Sequence, residues 1–312
     1  MFAGSVTART LNWAMVTTED SHYGAAAKAF KSKLEEVSGG KFDVAIKANG
    51  VLGGEREIIE GMQIGSIEVG ITASGPVGGF VPDTYVMDLP FLFHDYATAR
   101  RVMAGPIGQE LLSKLDDVGV KGLAWGENGF RYITNSKHPI KEPKDLDGMK
   151  IRTMENDIHL AAFKSAGASP TPMSWPEVIP ALQQGTIDGQ ENPLSILVSN
   201  RIWEVQKYLT LTGHFYSPAV IMMSKTVWDG LSDEEKGWVG QATEAAVAAN
   251  HAFVDRDEAN GIELLRSNGM DIVAGDALDK DKFTEAMNGA YEFYTKRYGS
   301  SALDRVRAAI KN

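Results

Sequence analysis

At 312 residues, with 31 Lys+Arg against 41 Asp+Glu, the chain carries a formal net charge of −10. That balance argues against nucleic acid as the main partner, because phosphate binding needs a basic surface, while a local pair of arginines can still hold a small anion. It contains no cysteine, which excludes disulfide frameworks, thiolate zinc sites, iron–sulfur clusters and cysteine nucleophiles together.

The length is at the practical limit of one core, so two lobes are expected. Leu11–Met15 reads as a short strand. Tyr23, Ala26, Ala27, Phe30, Leu34 and Val37 then recur at helical spacing until Ser38-Gly39-Gly40 stops the run. Phe42–Ala48 alternates as a strand, Glu55–Met62 supplies a short helix, and Ile67–Ala73 alternates again. A helix is expected over Thr98–Leu115 and a strand over Val120–Trp125. Repeated strand–helix units of this kind imply α/β lobes with largely parallel sheets.

From about Gly129 the pattern restarts. Arg131–Thr134 and Met149–Arg152 read as strands, with helices expected at Asp157–Ala166, Val178–Gln184 and Leu194–Val205. Ser174-Trp175-Pro176-Glu177 has the form of a capping box, although Pro180 sits deep enough to kink the helix that follows. A second box, Ser232–Glu235, opens the longest helical run, which stops at Asn268-Gly269. At ~1.5 Å per residue such a run reaches about 50 Å, enough to span two lobes, with Gly261 as a point where it can bend.

Enzyme signatures are scarce. The chain has no GxxxxGK[ST] loop, HExxH, GxSxG or EF-hand pattern, and Gly50, Gly53 and Gly54 read as a turn rather than a phosphate cradle. None of the six histidines pairs with another at helical metal-binding spacing. No stretch approaches the roughly 18 apolar residues of a membrane span, and Met1–Thr10 lacks the long apolar segment of a secretory signal. What stands out is a constellation in the second half: Arg131 opening one strand, Arg152 ending the next, Trp175 before a helix, and Asn192 after a turn. Ligands of open α/β sheets sit beyond the carboxyl ends of strands, and a guanidinium fork suits a carboxylate. Taken singly, each has a plainer reading: a structural ion pair for the arginine, core packing for the tryptophan, a turn for the asparagine.

Gly167–Met173 (GASPTPM) and Ala181–Pro193 (ALQQGTIDGQENP) resemble the solute-binding proteins of TRAP transporters, the DctP-like family. Leu52–Arg56, Leu89–Phe93, Asn128–Arg131 and Asp145–Arg152 extend the likeness in order over nearly the whole chain. The resemblance implies a two-lobed periplasmic-binding-protein-like α/β fold of the class II type, with crossing hinge strands and a long helix shared by both lobes. Lobe I would comprise residues 1–129 plus 218–256, and lobe II 130–217 plus 257–312. It further implies an exported, non-enzymatic, monomeric receptor, whose leader is not part of this chain. Such a receptor uses no cofactor or metal and hands a small organic acid to membrane permease subunits in the periplasm. By the same likeness Arg152 clamps the carboxylate, Asn192 hydrogen-bonds it, Arg131 is a second arginine near it, and Trp175 forms an aromatic wall. Glu55 faces the cleft, the strand ending at Ala73-Ser74 points there, and Tyr216 lies just before the crossover. Members that bind amino-sugar acids tend to carry an acid where Ala73 stands. The expectation is therefore a smaller or flatter ligand than sialic acid: a sugar acid, hydroxy acid, dicarboxylate or aromatic acid. The rival readings are a carboxylate-processing enzyme and the binding protein of an ATP-driven transporter.

Overall fold

The structure, a computed structural model, describes residues 8–311; the question of whether Met1–Thr7 are native falls outside them. β1 (Arg9–Ala14) shows why the first half layers as it does: Leu11 and Trp13 enter one apolar cluster and Ala14 the other, as alternate residues of a strand must. α1 (His22–Val37) starts where Ser21 Oγ accepts the Gly24 N–H, and ends at Gly39 and Gly40, both with positive φ. β2 (Phe42–Lys47), α2 (Glu55–Gln63), β3 (Val69–Ala73) and the single turn α3 (Ser74–Val77) follow. The expected helix over 98–115 is instead two, α4 (Tyr96–Ala104) and α5 (Pro106–Ser113), separated at Gly105. Pro106 has no N–H to continue the ladder and is accommodated as the first residue of the new helix.

The strands expected at 120–125 and 131–134 are one, β4 (Val120–Asn135), with register shifts at Gly122/Ala124, Glu127/Gly129 and Arg131/Ile133. The chain continues through β5 (Lys150–Thr153), α6 (Asp157–Ser165), β6 (Ser169–Pro172), α7 (Trp175–Gln183), β7 (Gly189–Asn192) and α8 (Leu194–Ser199). α8 stops well short of Val205 because Arg201 turns left-handed, with φ 49°. A second long strand, β8 (Tyr208–Ser224), leads into α9 (Lys225–Asp229) and α10 (Asp233–Ser267). β9 (Asp271–Val273), α11 (Lys280–Ala286), α12 (Gly289–Tyr298) and α13 (Ser301–Lys311) complete the chain.

One nine-stranded sheet runs β2-β1-β3-β8-β4-β7-β5-β6, with β9 also on β8. The outer pairs are parallel as expected, but β8 is antiparallel to β3 and β4, and β4 to β7, so the sheet is mixed. The long strands β4 and β8 pair from Val120–Ser224 to Asn135–Tyr208, while β8 holds β3 over Ala219–Met223 and β4 holds β7 over Tyr132–Asn135. They therefore cross from one half of the molecule to the other. α10 is 35 residues long, about 50 Å at ~1.5 Å per residue, and its Ser232–Glu235 capping box is formed as the sequence suggests. Its apolar stripe covers α1 at one end, and Gly261 lets Leu194 and Val198 of α8 approach at the other.

Candidate functional site

β5 and β7 run parallel with Arg152 beside Gln190, so Asn192, two residues on, projects to the same side as Gln190. The carboxyl ends of β5, β6 and β7 deliver the chain to the starts of α6, α7 and α8, whose N-terminal dipoles favour negative charge nearby. From the other half, Val16 and Thr17 follow β1, Ala73 ends β3, and Glu55 and Tyr23 open α2 and α1. These five, with Asn128 of the crossing strand, meet Arg152, Met154, Trp175, Asn192 and Ile196 around a small cavity.

Arg152 decides what the cavity can hold. It is 2% exposed, Nε and Nη2 donate to the Met173 carbonyl at 2.9 and 2.7 Å, and its guanidinium lies 5.7 Å from the Trp175 ring centroid. No carboxylate pairs with it among the described residues. Burial, reinforced by the neighbouring Arg131 charge, lowers its pKa to about 10, although Glu191, Glu55 and Glu155 act against this from a distance. A buried charge without a partner is costly, and an anionic ligand would supply that partner. Asn192 lines the same cavity, its amide oriented by Gln190 Oε1. Glu55 is buried, with Oε1 accepting the Ala73 N–H at 2.6 Å. Burial raises its pKa, an effect the Ala73 amide, Arg152 and Arg131 partly offset.

Of the seven residues singled out in the sequence, Arg152, Asn192, Trp175 and Glu55 are brought together here, while Arg131, Ser74 and Tyr216 do not line the cavity. Arg131 is fully buried and held bidentately by Glu191 (2.5 and 2.7 Å), with Nη1 left without a partner. His214 Nε2 lies 3.2 Å from the same carboxylate, and its Nδ1 is 2.6 Å from Thr212 Oγ1. Burial alone would raise the Glu191 pKa, but Arg131, His214 and His159 together pull it far below the usual range. Ser74 donates to Asp88 at 2.7 Å, and Tyr216 donates to Glu127 at 2.9 Å. The sequence reading missed Tyr23, Thr17, Asn128 and Met154. It also missed the bonds from Asn156 Nδ2 to Asp88 Oδ2 (2.8 Å) and to the Gly75 carbonyl (3.1 Å).

The two rims of the cavity touch. A Cβ on Gly54 would lie 2.0 Å from Ser174 Oγ, and one on Gly50 2.7 Å from the Pro176 ring. Ser174 stands at the N-cap of α7 as expected, yet its side chain makes no capping bond there and faces this contact. A larger groove lies between β4, α5 and α10. Its cations are already matched, Arg100 by Glu127 and Asp255, and Lys121 by Asp116. The smaller cavity therefore has the stronger claim on an anion. Among the described residues no acid–histidine cluster suits a metal ion, and no helix is long and apolar enough to cross a membrane.

Comparison with known proteins identifies the family. A solute-binding protein of Verminephrobacter eiseniae is 46% identical over 293 residues, covering 94% of this chain and 87% of that one. A TRAP periplasmic solute-binding protein of Bordetella bronchiseptica, with density assigned to pantoate, superposes with a TM-score of 0.92 at 48% identity, covering 96% of this chain and 98% of that one. One from Polaromonas sp. JS666, bound to D-erythronate, gives 0.93 at 44% identity with the same coverage. The model of the bacterial extracellular solute-binding protein family 7, DctP, matches residues 13–297. The chain belongs to that family of transport binding proteins.

Proposed function

We propose that this chain is the periplasmic receptor of a TRAP transporter for a small hydroxylated monocarboxylic acid. The observation that carries the reading is the buried Arg152, unpaired by any acid among the described residues and lining a cavity with Asn192 and Glu55. Arg152 and Asn192 take the carboxylate. Trp175 walls the cavity, and Arg131, locked to Glu191, braces β4 against β7 behind it. A dicarboxylate would place a second negative charge in a site that already holds Glu55, so one carboxylate and neutral polar groups fit better. The ligands in the two structures compared above, pantoate and D-erythronate, are both short monocarboxylic acids with hydroxyls on carbons 2 and 4.

The lobes meet where β4 and β8 change partners, which supports boundaries at 129/130 and 217/218. Closure brings Glu55, Tyr23 and Thr17 to the acid held by Arg152, and the ligand shifts the equilibrium through its greater affinity for the closed state. The closed receptor then presents the acid to the membrane permease subunits. The lining side chains include no histidine, serine or lysine, which favours capture over turnover.

The test is mass spectrometry of acids released on denaturing the purified protein, followed by calorimetry of ligand-free protein with D-erythronate, pantoate and succinate. Tight binding of a hydroxy monoacid and weak or absent succinate binding are expected. Failure of every carboxylic acid to bind, or conversion of a bound acid to product, would overturn the reading.

A further inference from the structure

Helical spacing assigns Tyr23 to the apolar stripe of α1, but its hydroxyl does not fit a core role. Tyr23 lines the cavity at 1% exposure, and its phenolic oxygen finds no hydrogen-bond partner. Among the lining side chains it alone has a buried polar atom left unmatched. Leaving such a group unmatched is costly, and a phenylalanine of nearly the same shape would avoid that cost.

The backbone around Tyr23 is fixed on both sides. Ser21 Oγ caps the helix and lies 2.7 Å from Thr17 Oγ1, His22 Nε2 is 2.9 Å from Asn128 Oδ1, and Asn250 Nδ2 donates to the His22 carbonyl at 3.3 Å. The His22 ring packs 4.2 Å from the Tyr23 ring. The phenol is therefore preorganised, with no protein group to satisfy it. Burial and the Glu55 carboxylate hold it protonated far above its ordinary range, so it keeps its O–H to donate. Glu55 has Oε1 occupied by the Ala73 amide and leaves Oε2 as an acceptor.

We propose that Tyr23 is a specificity-determining residue that donates a hydrogen bond to a hydroxyl on the carbon chain of the bound acid, that hydroxyl in turn donating a hydrogen bond to Glu55 Oε2. The assignment rests on the reading of this cavity as a carboxylic-acid site, and adds to it which acids are turned away. A site built to pair a substrate hydroxyl rejects the analogue lacking it, because its own polar groups are then left unmatched. Acids of the right length without that hydroxyl are thus bound poorly, even though Arg152 could still hold their carboxylate.

The experiment is calorimetry on ligand-free wild-type protein and Tyr23→Phe. The tightest binder among pantoate, D-erythronate and D-galactonate is compared with its singly deoxygenated analogues. Wild type is expected to bind one deoxy analogue at least tenfold more weakly than the parent. Tyr23→Phe is expected to bind the parent at least tenfold more weakly and to erase the penalty for that one position. Unchanged affinities in Tyr23→Phe would show that the phenol is served by water. An equal loss for every acid would show a packing role. Either result overturns the assignment while leaving the carboxylic-acid reading intact. If no carboxylic acid binds wild type, that reading fails and takes this one with it; if acids bind but none with a chain hydroxyl does, this assignment alone fails.

Discussion

Arg152→Met separates a ligand-binding arginine from a structural one, because the two roles predict opposite balances of stability and affinity. The folded environment lowers the Arg152 pKa from 12.5 to about 10, so holding the charge costs roughly 3 kcal/mol at ~1.36 kcal/mol per unit. Methionine removes that cost at similar volume. It also strips both donors from the Met173 carbonyl, a loss of ~1–3 kcal/mol. The two nearly cancel, so the ligand-free Tm should move by less than about 5 °C. Binding should behave quite differently: removing one partner of a buried charge pair costs ~3–5 kcal/mol, at least a hundredfold at ~1.4 kcal/mol per tenfold. Arg152→Lys keeps the charge but not the fork and should also bind poorly. Scanning calorimetry of ligand-stripped protein gives the first quantity and isothermal titration the second. A Tm fall above about 10 °C with affinity intact would refute the reasoning.

Arg131 should show the reverse pattern. Glu191→Gln leaves a buried guanidinium unpaired and should cost ~3–5 kcal/mol of stability by urea denaturation. Because the Glu191 pKa is depressed, the wild-type advantage is present above about pH 4.5 and shrinks as the pH falls; an advantage constant with pH would contradict the pairing. Burial raises the Asp88 pKa from 3.8 to about 6, despite the Ser74 and Asn156 hydrogen bonds. The fold therefore binds the proton more tightly than the unfolded chain, and stability from this group falls by roughly 3 kcal/mol between about pH 4 and pH 6. Asp88→Asn should gain on wild type across that window in thermal melts, and a flat difference would contradict the sign. Gly54→Val should weaken binding about tenfold or more by obstructing Ser174 at the rim, with little change in ligand-free Tm; unchanged affinity would mean that the rims need not meet in the bound state.

The sequence made the helices with strong end signals legible. Ser232 and Glu235 marked α10, and Gly39-Gly40 marked the end of α1. It also exposed Arg152, because Met149–Arg152 is a compact strand whose carboxyl end reaches the cavity. β8 was hidden because it is buried on both faces for most of its length and so lacks alternation, and Pro218 at its centre argues against a strand. In the structure Pro218 sits beside the Glu127/Gly129 register shift, where a missing N–H is tolerated. That crossing pair is also why the sheet is mixed rather than parallel. Arg131 and Arg152 could not be told apart because the partner that neutralises Arg131 lies 60 residues away. Tyr23 read as core because periodicity reports which face a residue occupies, not whether its hydroxyl is satisfied there.

The most direct test is a crystal structure of the complex with the acid that calorimetry finds to bind most tightly. The account predicts a ligand carboxylate oxygen within ~2.7–2.9 Å of an Arg152 guanidinium nitrogen, the distance of a charge-assisted hydrogen bond, with Asn192 as a second donor. A carboxylate bound away from Arg152, whether elsewhere in this cavity or in the groove beside α10, with the guanidinium still engaged only by Met173, would contradict it.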